Sequence, residues 1–193
     1  MARARPHVRP ARAHRLPRRT HARPLVVVVD DIAHTGGTAF TGQVDALRAD
    51  EVHAHLDAVV AQAGHIDISV NAIGVDHVQG VPLTAIPLAD FLVPVTTYTT
   101  SQFLTATAAA RHMIPRRSGS ILFISTTAAV VTLPSDGFGV ACAAVEALAQ
   151  QLAGELGPDG IRVDCLRPDA IAESAHRGSH TRTYGHAPLH TPG

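Results

Sequence analysis

"GFGVACAAVEALAQQLAGELGPDGIRVDCLRP", residues 137–168, reads as a helix, a tight turn and a strand in direct succession. Val145, Leu148, Leu152 and Leu156 recur at three- and four-residue spacing, which predicts a helix from Phe138 to about Leu156 with one apolar face. Gly157-Pro158 stops it, since proline cannot continue a helix. "IRVDCL" (161–166) is then a short strand. A long helix handing over to a strand through so short a turn is the mark of a crossover connection between parallel strands.

Working outward from that unit, the same alternation continues. "SILFIS" (120–125) reads as a strand and "TTSQFLTATAAARHMI" (99–114) as a second long helix. "IDISVNAIG" (66–74) is a strand running into a loop. "ADEVHAHLDAVVAQAG" (49–64) is a helix whose Val52, Leu56, Val59, Val60 and Ala63 share a face, closed by Gly64. "FTGQVD" (40–45) is a weaker strand candidate, and the β-branched run "LVVVVD" (25–30) reads as a strand covered on both faces. The expected fold is α/β, a doubly wound parallel sheet with helices on both faces. Ligands of such sheets bind beyond the carboxyl ends of the strands. Function is therefore expected in the segments Asn71–Asp76, Ser125–Ala129 and Pro168–Ser174.

Composition narrows the chemistry. The 193 residues suffice for one domain with a proper core, and 46% hydrophobic against 17% charged residues predicts folding rather than disorder. No uninterrupted apolar stretch approaches the roughly 18 to 20 residues of a membrane span, which predicts a soluble protein with no membrane partner. All 16 basic residues are arginine, so a Walker-loop lysine and Schiff-base catalysis are both excluded. Two cysteines, Cys142 and Cys165, provide no disulfide or metal framework, and favour a reducing, cytoplasmic setting. His176 with His180 and His186 with His190 have the spacing of helical metal ligands. Glycine or proline between the members of each pair makes a helix there unfavourable, and they are read as incidental.

The zero net charge hides an asymmetry. Residues 1–24 carry eight arginines, four prolines and no acid, while all 16 acids lie between Asp30 and Glu173. A stretch like 1–24 buries too little apolar surface to offset its ordering entropy, and is expected to be a disordered tail. The texture of 175–193 is the same, leaving 25–174 as the folded domain. An arginine-rich tail also admits a nucleic-acid arm, which predicts binding that falls steeply with salt. The competing reading is that neither tail is native sequence.

The order of motifs resembles the short-chain dehydrogenase/reductase family over about residues 37–174. "DISVNAIG" sits where that family has its D-x-L-V-N-N-A-G strand and loop. "AAARHMIPRRSGSILFIST" is similar to its helix, turn and active-site strand, and 137–168 to its signature helix, glycine turn and following strand. The resemblance implies a Rossmann-like sheet and hydride transfer between NAD or NADP and a small carbonyl or alcohol substrate. It also implies a homo-oligomer built through helices 99–114 and 138–156.

Carried over residue by residue, the implied catalytic positions are Phe138 for the family's tyrosine, Cys142 for its lysine, and Thr126, with Ser125 as alternative, for its serine. Tyr98 falls on its asparagine. A phenol near pKa 10 is a poor acid–base catalyst until a nearby cation stabilises its anion, and neither phenol nor amine stands at these positions. Along the cofactor the resemblance implies Asp45, Asn71, Ala72, Gly74, Pro168 and Ile171, with Asp169 and Glu173 replacing a glycine and a threonine. The family's T-G-x-x-x-G-x-G turn, which brings backbone up to the pyrophosphate, has no counterpart before Asp45. "TGGTAFTG" (35–42) holds Phe40 where the middle glycine belongs. Only 15 residues separate Asp30, a candidate ribose ligand, from Asp45, so the first βαβ unit is expected to be incomplete. The readings that stay open are an atypical oxidoreductase using Thr126 and Tyr98, a catalytically silent scaffold or partner subunit, and an arginine-tail nucleic-acid binder.

Overall fold

A computed structural model of the protein describes residues 22–74, 77–78, 80–131 and 137–169, the side chains of 22–26 apart. Residues up to Gln43 form one unit and those from Val44 another. Both expected tails fall outside the described residues, save for 22–24.

The second unit is built on three parallel strands, β1 (Ile68–Asn71), β2 (Gly119–Ile124) and β3 (Ile161–Leu166), in the order β1-β2-β3. α2 (Ala49–Ala63) precedes β1, α3 (Leu88–Met113) connects β1 to β2, and α4 (Phe138–Leu156) connects β2 to β3. The register sets Asn71 beside Phe123 and Phe123 beside Cys165. Side chains alternate across a strand, so Ile121, Phe123, Ile161, Val163 and Cys165 share one face, where they pack with α3 and α4.

Small residues let the helices come close to that face. Ala106, Ala109 and Ala110 of α3 and Ala141, Cys142, Val145 and Ala149 of α4 are all buried, against fully buried Phe123 and Met113. Leu152 and Leu156 continue the stripe, and α4 ends at Leu156 as its sequence pattern requires. α2 buries Val52 and partly buries Leu56, Val59 and Val60, while Ala63 in its last turn is exposed. Gly64 then takes φ 85°, a conformation that favours glycine, and donates its N–H to the Val60 carbonyl at 2.8 Å. His112 of α3 and Asp57 of α2 approach to 3.0 Å.

The structure corrects the first part of the sequence reading. The valine run 25–30 is not a strand but lies within helix α1 (Ala22–His34). β-propensity reflects fit to a pleated neighbour, and a segment without a paired strand satisfies its backbone internally by coiling. No strand forms at 40–45; the Asp45 carboxylate instead accepts the Leu47 N–H at 3.0 Å, closing a local turn before α2. α3 starts at Leu88, ahead of the expected Thr99, and accommodates Pro94 as a buried residue. Tertiary packing there outweighs the backbone bond that proline forfeits.

Among the described residues from Val44 on, no helix packs over the opposite face. Ile68, Val70 and Leu166 are 67%, 56% and 53% exposed there, and Leu122 and Ile124 half-buried. The fold is an incomplete Rossmann-like α/β fold.

Candidate active site

The carboxyl ends of β2 and β3 converge on α4. Ser125 follows β2, fully buried, and its N–H donates to the Leu166 carbonyl at 2.8 Å. Its hydroxyl donates to Glu146 Oε1 at 2.7 Å. The same carboxylate accepts Arg167 Nε at 2.7 Å and Arg167 Nη2, so one side chain of α4 ties down the ends of both strands. The paired guanidinium is the main reason that Glu146 stays ionised below the usual carboxylate range.

Thr126 is extended, and its Oγ1 accepts the Ala128 N–H at 3.1 Å, capping the short turn Thr127–Ala129. That oxygen also lies 3.5 Å from Cys142 Sγ. The next residue closes the loop: Thr127 Oγ1 donates to Asp169 Oδ1 at 3.1 Å and its N–H to the Pro168 carbonyl at 3.2 Å.

The first turn of α4 packs tightly onto this loop. A Cβ on Gly139 would stand 2.7 Å from the Ala128 carbonyl oxygen, so only glycine fits without displacing backbone. Phe138 presents its ring to His77, from the segment after β1, with centroids 4.0 Å apart and planes 7° off parallel. On its other flank Tyr98 lies tilted at 6.0 Å. Tyr98 is 4% exposed and donates its hydroxyl to the Ile124 carbonyl, and burial pushes its pKa up to about 12. Burial likewise raises the Cys142 thiol. Both groups are neutral at ordinary pH, and among the described residues no cation is found in contact with either.

The structure therefore brings Tyr98, Ser125, Thr126, Phe138 and Cys142 together, and commits three of their polar atoms to structural hydrogen bonds. Sequence reasoning missed His77, Glu146 and Arg167. Arg167 and Glu146 are 21 positions apart, with no periodicity to link them, and only the strand–helix packing shows the pair.

The cofactor-side residues are less assembled. Asn71 is buried at the end of β1 with its Nδ2 unpartnered, a donor a bound group would satisfy. Ala72 and Gly74 are exposed and Pro168 half-buried. Asp45 spends its carboxylate on the turn before α2, and Ile171 and Glu173 lie outside the described residues. The stretch 35–42 leaves a helix rather than a strand, and no helix begins until Ala49. A Cβ on Gly37 would meet the Ile32 side chain at 2.7 Å, so this glycine serves its own helix end. The described residues thus fit the Asn71 end of a dinucleotide site and not its pyrophosphate end. Among them no group of three metal-ligating side chains is found.

Comparison with known proteins agrees with this layout. A family profile described as enoyl-(acyl carrier protein) reductase matches residues 21–189. Tropinone reductase-like 2 of Erythroxylum coca is 33% identical over 136 residues, 69% of this chain and 50% of that protein. The (21S)-21-acetoxyl-apo-melianone synthase of Melia azedarach is 31% identical over 162 residues, 79% of this chain and 60% of its own. A short-chain type dehydrogenase/reductase from Mycobacterium marinum superposes with TM-score 0.72 at 32% identity, covering 81% of this chain and 64% of that one. NAD+-bound xylitol dehydrogenase gives TM-score 0.74 at 26% identity, over 80% and 60%. The chain spans about half to two-thirds of the length of these relatives. With the family profile matching most of its length and relatives at 31 to 33% identity, the chain belongs to the short-chain dehydrogenase/reductase family.

Proposed function

We propose that this chain is an oxidoreductase by descent in which the proton-transfer groups have been replaced, and that it serves as a silent partner subunit. The observation that carries the reading is the pair at the start of α4. Phe138, without a hydroxyl, stacks on His77, and Cys142 is a buried neutral thiol against Thr126. Reduction of a carbonyl needs a proton at the oxygen as hydride reaches the carbon. Tyr98, Ser125 and Thr126, the remaining hydroxyls, are engaged in the hydrogen bonds that hold the strand ends.

NAD or NADP is the cofactor class that relatives bring to the site, xylitol dehydrogenase being bound to NAD+ and a metagenomic short-chain oxidoreductase to NADP. Such a group supplies the hydride when bound. The Asn71 amide is this chain's donor toward it; the described residues supply no glycine turn for its phosphates. Its substrate class by descent is a small carbonyl or alcohol. Partner contact through α3 and α4 is supported by their outward side chains, with Leu92, Phe103 and Val140 exposed. No helix among the described residues is long and apolar enough to cross a membrane, and the free thiols agree with a cytoplasmic setting.

The test is oxidation of NADH and NADPH with a panel of ketones and aldehydes. The purified chain is expected to show no turnover above the no-enzyme control, and the double variant Phe138→Tyr with Cys142→Lys to gain it. Ordinary turnover by the unmodified chain, lost on Tyr98→Phe or Thr126→Ala, overturns the reading.

A further inference from the structure

We draw no further inference here: the strongest candidate, the fully buried Gln102 side chain midway along α3 with both amide atoms unpartnered, carries none, because nothing among the described residues shows a cavity beside it or what it would bind.

Discussion

Replacing Glu146 by glutamine is expected to loosen the whole carboxyl edge of the sheet. The carboxylate takes three hydrogen bonds, one from buried Ser125 and two from Arg167. A hydrogen bond to a charged group contributes about 1.5 to 3 kcal/mol when shielded from water. The Arg167 side chain is 44% exposed and that of Glu146 20%, so solvent competes for the guanidinium contacts and their share falls toward the surface-pair range of about 1 kcal/mol or less. Glutamine keeps an acceptor for Ser125 and loses the charge, so the expected cost is about 1 to 2 kcal/mol at pH 7. The sign with pH follows from the lowered Glu146 value. The contribution is present above the ordinary glutamate pKa of 4.5 and is lost as pH falls through the lower folded value. Urea unfolding of both proteins between pH 7 and pH 3 measures it. The gap is expected to be full at neutral pH and to narrow as pH falls below the ordinary glutamate value and through the lower folded one. A gap that stays constant down to pH 3 refutes the assignment of this stability to the ionised carboxylate.

Three further outcomes test the packing around the site. Tyr98→Phe leaves the Ile124 carbonyl without its donor and is expected to cost about 1 to 2 kcal/mol in the urea midpoint, with far-UV dichroism unchanged. Phe123→Ala empties the centre of the core between β1 and β3, and thermal unfolding is expected to register about 3 to 5 kcal/mol. Gly139→Val drives side-chain carbon into the Ala128 carbonyl, so α4 is expected to lose its seat on the strand-end loop. Limited proteolysis reads that as faster cleavage near Thr127, and an unaltered digest contradicts the close approach.

The sequence by itself determined the second unit, because the signals there are local. The α4 apolar stripe and its Gly157-Pro158 stop, the strand at 161–166 and the helix at 49–64 all lie at the observed places. Those periods are read off neighbours three or four residues away, and the core that formed agrees with them. Locality also explains the failure at 25–30. Four consecutive valines favour a strand only if another strand lies alongside, and that is a fact about the tertiary structure. Pro94 hid the first turns of α3 for the same reason, since what keeps it helical is burial.

The site divides along the same line. The residue types that the resemblance sets against the family's catalytic tyrosine and lysine, Phe138 and Cys142, are legible in the sequence. What the surrounding polar atoms do was not. The phenol of Tyr98, the hydroxyl of Ser125 and the carboxylate of Glu146 acquire their partners only where β2, β3 and α4 meet, across separations of 21 to 26 residues. Which sheet face α3 and α4 cover was likewise decided by the tertiary structure. Alternation in a strand says that two faces exist, and only the positions of the helices say which of them is covered.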